Sequence, residues 1–307
     1  MITTNLTGNL GNHMWQYAVC RTIAEHKGYE WGINSSPSHD YHKGMNQMYF
    51  MDVDFGKPVT GIAHEYHEPW KIYQQGGDAV NITMLNKSLY DIMDNTIMLG
   101  DKGAAGGIYQ SEDYILHKRD EVLEWFKIKD EYKKEYDTKL AEAGFTLDEN
   151  LCVINFRGGE YKLPKLMRDV MARKEYWADA INHMKERNSE MKFLIISDDP
   201  NFAKTYMPFD IPAMHLDIGF DFYVVNQAKS VILSNSSFGW WCGWLNTNAN
   251  LIIAPKYWAR HNVSDGYWAT GDMYTTTFSY LDREGNLQDY KTCKEEAINY
   301  YKEKGLI

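Results

Sequence analysis

The sequence predicts an α/β fold in which a parallel sheet is wound with helices on both faces, and three observations carry that expectation. After residue 150, short apolar runs alternate with amphipathic stretches in a regular rhythm, the pattern of repeated strand and helix units. The runs are continuous rather than alternating, as in Leu151-Cys152-Val153-Ile154 and Phe193-Leu194-Ile195-Ile196, so their strands are buried on both faces. Most of these runs stop abruptly in polar residues, as at Asn155, Ser197 and Ser234, and in an open α/β sheet such endings gather on one edge, where ligands bind.

At the N-terminus a short strand near Ile2 to Leu6 leads through Gly8-Asn9-Leu10-Gly11-Asn12 into a helix carrying Met14, Tyr17, Ala18, Arg21 and Ile23. Glycines between a strand and a helix start make either an anion-binding turn or simply a tight one, because the first helical N–H groups have no helical partner. The spacing matches neither GxGxxG nor a P-loop. From Tyr29 to Gly107 the pattern is broken, with short apolar pieces such as Val59-Thr60-Gly61-Ile62 and Thr96-Ile97-Met98-Leu99. His39, His42, His64 and His67 fall here, but His64-x-x-His67 lacks the HExxH spacing that sets two imidazoles on one helix face, so no metal site is expected.

Tyr109 to Tyr114 opens a charged helical region that runs to about Phe145, its later part a solvated helix laced with Glu and Lys. Gly144 and Asp148-Glu149-Asn150 make the linker. The expected organisation is an N-terminal domain over 1–147, a second α/β domain over 148–290 and a C-terminal helix over 291–307. In the second domain, strands are expected at Leu151–Ile154, Lys192–Ile196, Met214, Val231–Leu233 and Leu251–Ile253. Helices are expected at Glu175–Glu186, after Pro200, at Asp221–Ala228 and from Ser237.

Three strand ends carry candidate chemistry. Asn155-Phe156-Arg157-Gly158-Gly159-Glu160-Tyr161 ends the opening strand in a cation, two glycines and a carboxylate. Arg157 supplies a planar fork of donors suited to phosphate, Gly158 and Gly159 allow close backbone approach, and Glu160 offers a base, unless Arg157 and Glu160 merely pair with each other. Ser197-Asp198-Asp199-Pro200 presents paired carboxylates for a metal, for the hydrogen-bond donors of a nucleoside or for a helix cap; the cation nearby favours the nucleoside. Ser234-Asn235-Ser236-Ser237-Phe238 precedes a helix rich in tryptophan; its capping residues suit a pyrophosphate, while the tryptophans read as core.

The whole-chain balance narrows the partners. With 307 residues, 44% hydrophobic and 24% charged, this is a folded globular chain. A net charge of −10 argues against nucleic acid, which selects a basic footprint. The four cysteines are scattered, without a metal-binding or disulfide spacing, which suits a reducing compartment. Neither a signal peptide nor a membrane span is readable, so a cytoplasmic protein is expected, with peripheral membrane contact and oligomeric state left open.

Taken together, Gly8-Asn9-Leu10-Gly11-Asn12-His13-Met14-Trp15-Gln16-Tyr17-Ala18, Tyr109-Gln110-Ser111-Glu112-Asp113-Tyr114, Asn155-x-Arg157-x-Gly159-Glu160-Tyr161, Ser197-Asp198-Asp199, Asn235-Ser236-Ser237-Phe238-Gly239-Trp240-Trp241 and Ile252-Ile253-Ala254-Pro255-Lys256-x-Trp258 resemble, in order, the blocks of the family 11 glycosyltransferases, which are α-1,2-fucosyltransferases. The resemblance implies a GT-B enzyme with two Rossmann-like domains facing across a cleft, an acceptor-side domain first and a nucleotide-binding one second. It implies transfer of fucose from GDP-fucose to a glycan hydroxyl, with inversion and without a metal or other cofactor. By position, Arg157 would clamp the donor phosphates, Asn155 would stand beside the nucleotide, Asp198, with Asp199 next to it, would face the guanine, and Ser236, Ser237 and Phe238 would line the diphosphate. Gly11, Asn12 and His13 would contribute from the N-terminal domain. Glu160 is the expected base, with His13 and Glu112 as rivals.

The departures are specific. The family writes His-x-Arg-Arg-Gly-Asp-Tyr where this chain has Asn155, Arg157, Gly158, Gly159, Glu160 and Tyr161, and His13 stands where Gln is usual. One guanidinium is lost, which weakens stabilisation of a leaving diphosphate. Another nucleotide-sugar donor, a non-catalytic carbohydrate-binding relative and a different nucleotide-dependent α/β enzyme are the alternatives.

Overall fold

A computed structural model describes residues 1–34, 47–59, 64–66, 70–75, 78–83, 97–99, 109–162, 170–258 and 273–305. The chain forms two compact units, Met1–Lys127 and Ile128–Gly305.

The first unit contains strands β1 (Ile2–Thr4), β2 (Trp31–Ile33), β3 (His64–Tyr66), β4 (Trp70–Gln75), β5 (Asp78–Thr83) and β6 (Ile97–Leu99), and helices α1 (Leu10–Lys27) and α2 (Arg119–Trp125). Strands β2, β1, β6 and β3 lie side by side in that order, all parallel, and β4 with β5 forms a separate antiparallel hairpin. Helix α1 starts at Asn9, whose carbonyl accepts from the His13 N–H at 3.1 Å. It ends at Gly28, whose left-handed backbone (φ 70°) lets Tyr29 N–H return to the Ala24 carbonyl at 2.8 Å, the Schellman closure that glycine permits. Its residues from Leu10 to Ala24 are almost all buried, so tertiary packing holds it.

The second unit begins with α3 (Asp130–Glu142) and then runs β7 (Leu151–Phe156), α4 (Lys174–Arg187), β8 (Lys192–Ser197), α5 (Pro200–Lys204), β9 (Ala213–Met214), α6 (Ile218–Gln227), β10 (Ser230–Leu233), α7 (Ser237–Trp244), β11 (Leu251–Pro255), β12 (Ser279–Leu281), β13 (Leu287–Gln288) and α8 (Tyr290–Glu303). The sheet order is β13-β12-β11-β10-β7-β8-β9, parallel throughout except for the β12–β13 hairpin. The opening strand is central: the chain goes outward through β8 and β9, then returns to the other side of β7 for β10, β11 and β12. The place where it changes direction, between β7 and β10, is the topological switch point at which doubly wound sheets bind ligands.

Helices cover both faces, as the continuous apolar runs require. Cys152, Ile154 and Phe156 pack in one cluster with Tyr176, Trp177, Ala180 and Met184 of α4. On the opposite face a Cβ added to Gly239 of α7 would stand 2.5 Å from the Asn155 amide oxygen. The period-two alternation of a strand therefore sends residues 152, 154 and 156 to one helix layer and 155 to the other.

One boundary differs from the sequence expectation. The units divide after Lys127 rather than at 147, because α3 packs on α6: the Tyr136 ring lies 5.8 Å from Phe220 and 5.7 Å from Tyr223, and Tyr223 Oη donates to Asp137 at 2.7 Å. Tyr136 and Leu140 are the apolar stripe of an otherwise solvated helix. Similarly, α8 is part of the second unit and not a separate piece.

Candidate functional site

Two loops flank the switch point, one leaving β7 and one leaving β10, and they are clipped together. Ser234 Oγ accepts from Arg157 N–H at 3.2 Å and donates to Asn155 Oδ1 at 3.4 Å, while Tyr161 Oη donates to the Asn235 carbonyl at 2.7 Å. Burial pushes the Tyr161 phenol up to about 12, so it remains a hydrogen-bond donor at any physiological pH. Asn235 in turn donates to the Val170 carbonyl at 2.9 Å.

Within that frame Arg157 meets two carboxylates. Its Nη1 pairs with Asp198 Oδ2 and its Nη2 lies 3.3 Å from Glu160 Oε1, with the guanidinium 5.8 Å above the Tyr161 ring. The ion-pair reading of Arg157 and Glu160 is thus present in the geometry, but Asp198 is the tighter partner. Asp198 also accepts from Gly158 N–H at 2.7 Å through Oδ1, binding both the side chain and the backbone of the β7 loop. A Cβ at Gly158 would come within 3.0 Å of Asp199 Cβ, which explains why a small residue allows this approach. The side chains of Arg157 and Asp198 are 24% and 27% exposed and that of Glu160 is 53% exposed, so the network can reorganise around a ligand.

Asp199 takes a different role. Its Oδ1 accepts from Phe202 N–H at 3.1 Å, capping α5, and Oδ2 pairs with Lys162. The hydrogen bond from Lys162 holds its carboxyl below the usual value. Asn155 is only 5% exposed and reaches the crevice through Ser234. Ser236 is the N-cap residue of α7 in extended conformation, with no side-chain cap bond; its carbonyl accepts from Trp240 N–H at 2.8 Å. Ser237 and Phe238 are half-buried on the first turn, and Phe238 packs edge-on against Phe222 at 5.6 Å. The tryptophans behind them are core: Trp240 and Trp244 stack at 5.7 Å, and Trp240 Nε1 donates to the Met273 carbonyl.

Gly11, Asn12 and His13 sit together on the first turn of α1 in the first unit. Asn12 Oδ1 accepts from Gln110 Nε2 at 3.1 Å, and Gln16 binds Thr7 twice, accepting its N–H and donating to its Oγ1, both at 2.8 Å. That double bond shapes the turn around Gly8, whose φ is 80°. Of the three expected bases, His13 and Glu112 are buried and Glu160 reaches solvent.

Several residues at this edge carried no role in the sequence reading. Lys162 pairs with a carboxylate 37 positions away, and no local signal announces such a partner. His215, just past β9, presents Nδ1 2.6 Å from Asp221 Oδ2 on the first turn of α6. Burial pushes the Asp221 carboxyl up to about 6, against the pull of His215, while the hydrogen bond to Asp221 raises His215; the pair therefore holds a proton strongly. A histidine at a strand end with an aspartate six residues on was the available signal.

All four cysteines are free and buried, and burial pushes their thiols up, so none is poised as a nucleophile. Among the described residues no three His, Cys, Asp or Glu side chains converge as a metal set; His39, His42 and His67 lie outside the described residues. No helix among them is long and apolar enough to cross a membrane.

The profile of Glycosyl transferase family 11 matches residues 1–281. An α-1,2-colitosyltransferase of Escherichia coli is 24% identical over 274 residues, 84% of this chain and 92% of that one. Galactoside α-(1,2)-fucosyltransferase 2 of Gorilla gorilla gorilla is 22% identical over 271 residues, 83% of this chain and 71% of that one. A family 9 glycosyl transferase structure from Veillonella parvula covers 99% of this chain and 96% of its own, at 11% identity and a TM-score of 0.43, too loose a likeness to decide function.

Proposed function

This chain belongs to glycosyl transferase family 11 and is a glycosyltransferase, and on that footing we propose that it moves fucose from GDP-fucose to a hydroxyl of a glycan acceptor, forming an α-1,2 linkage with inversion and without a metal. The observation that carries the reading is the convergence of Arg157, Gly158 and the Ser234–Ser237 segment at the switch point of a doubly wound sheet. A guanidinium and a helix start there suit a diphosphate. The names of the colitosyltransferase and the galactoside fucosyltransferase support the α-1,2 linkage.

In the proposed reaction the acceptor oxygen forms a bond to the anomeric carbon as the bond from that carbon to the phosphate oxygen breaks, and GDP leaves with the electron pair. Negative charge grows on the diphosphate, and Arg157 with the first-turn N–H groups of α7 stabilises it. A guanidinium that turns to the diphosphate leaves Glu160, which then takes the acceptor proton. With Gly158 where the family has a second arginine, Arg157 carries this stabilisation with fewer cationic neighbours. Asp198 faces the base of the nucleotide, Asn155 positions Arg157 through Ser234, and Gly11, Asn12 and His13 belong to the acceptor side. Four free, buried cysteines support a reducing, cytoplasmic setting. A second reading, a colitosyl donor, is favoured by the Escherichia coli relative.

The test is Arg157→Ala, with donor turnover and product linkage as readouts. Transfer is expected to fall by about 10²-fold or more, the cost of deleting one donor to a developing oxyanion, with the circular-dichroism spectrum unchanged. Retention of full turnover would overturn the scheme. A thermal-shift panel of GDP, UDP, ADP and CMP separates the donors through ligand-linked stabilisation; stabilisation by UDP alone would end the fucosyl reading.

A further inference from the structure

We propose that His215, oriented by Asp221, binds the nucleoside part of the donor through its Nε2–H. The inference rests on the nucleotide-sugar reading above and extends it to a residue outside the Arg157 network.

The direction in which a nucleotide leaves the switch point is set by what stands on either side. Toward β11, Lys256 is buried and pairs with Glu296, and its carbonyl accepts from Tyr274 Oη at 2.7 Å. Toward β8 and β9 the edge is open, with Asp198, His215 and Leu216 all reaching solvent. Strand β9 is two places from β7, about 10 Å at ordinary strand spacing. Asp198 meets Arg157 and also faces the His215 ring, so a nucleoside extending from a diphosphate at Arg157 past Asp198 reaches His215.

His215 is built to receive it. Nδ1 is committed to Asp221, whose side chain is 9% exposed, while the imidazole itself is 40% exposed. A carboxylate sunk this far costs desolvation, and here it fixes the ring orientation. Because Asp221 holds the proton on Nδ1, Nε2 carries a proton only in the imidazolium form. Nε2 has no protein partner among the described residues. The groups that face the ring are Asp221 and Asp217 at the start of α6 and Asp198 at the end of β8. That field repels phosphate, so the ligand group suited to this N–H is a neutral acceptor, a base carbonyl or ribose hydroxyl. Leu216, 47% exposed beside it, offers an apolar surface to a base.

Calorimetric titration of the full chain with GDP and with inorganic pyrophosphate tests this. His215→Ala should weaken GDP about tenfold, the worth of one charge-assisted hydrogen bond, and leave pyrophosphate unchanged, while H215Q, whose amide can replace Nε2–H, recovers part of the loss. GDP affinity of the parent chain should fall as pH rises through the raised His215 titration, and Asp221→Asn should move that fall to lower pH. If His215→Ala binds GDP as well as the parent does, or loses GDP and pyrophosphate equally, the assignment is wrong while the donor reading stands. If the parent binds pyrophosphate but no nucleotide, the donor reading itself falls and takes this one with it. A variant that fails to fold is replaced by the pH series on the parent, where affinity independent of pH refutes the proposal.

Discussion

Gly239→Ala probes how tightly α7 is pressed on the strand that carries Arg157. The new Cβ would stand 2.5 Å from Asn155 Oδ1 and 3.6 Å from Leu233 Cδ2, and Asn155 is buried, with Ser234 Oγ on the same oxygen. Neither helix nor strand can yield without disturbing a packed layer, so the overpacking cost is about 1–3 kcal/mol. For a domain of this size each kcal/mol moves the melting temperature by about 2–4 °C. The assay is thermal and urea unfolding of four proteins: parent, Gly239→Ala, Asn155→Ala and the double variant. Removing the amide makes room for the methyl, so the double variant should be more stable than the sum of the single changes by about 1 kcal/mol or more, within the coupling range of contacting residues. Additive single changes, or a Gly239→Ala melting temperature equal to the parent's, would refute the close contact of α7 with β7.

Two further outcomes follow from the first unit. Gln16→Ala removes both hydrogen bonds to Thr7 from a buried position and should cost about 1–3 kcal/mol; amide exchange at Thr7 should accelerate, and unchanged protection there would show that the turn does not depend on Gln16. Burial pushes Glu25 up, but hydrogen bonds from Arg21 and Lys118 outweigh it and hold the carboxyl below its usual 4.5. A lowered folded value means the contribution to stability is present above the unfolded value and is lost as pH falls through the folded one. Urea midpoints followed down through the carboxylate range should therefore fall less steeply in Glu25→Gln than in the parent, and parallel curves would exclude the contribution.

The order of elements in the second unit was readable because burial on both faces leaves a continuous apolar run, and each run from Leu151 onward became a strand of the parallel sheet. The first unit was less legible. Its strands are three-residue pieces such as β1, β2, β3 and β6, too short to express a period, while the Gly76-Gly77 pair between β4 and β5 is a two-residue hairpin signature that carried no role in the sequence reading. Val59-Thr60-Gly61-Ile62 lies partly outside the described residues. The domain boundary was misplaced because a charged helix reads as linker-adjacent until its two buried residues, Tyr136 and Leu140, find α6.

By itself the sequence determined which residues reach one edge of the parallel sheet: Arg157, Asp198, His215 and Ser234 each follow a strand, and parallel strands end on the same side. What it left undecided is who touches whom there. The register that pairs Phe156 with Ser197 sets the next residues, Arg157 and Asp198, side by side, and the register that pairs Asn155 with Leu233 brings Ser234 to the Arg157 N–H. Those registers are set by packing of whole layers, α4 on one face and α7 on the other, and only the tertiary structure adds these up. The competition between Glu160 and Asp198 for one guanidinium, and the buried aspartate behind His215, exist only once residues up to 41 positions apart have been brought within hydrogen-bonding distance.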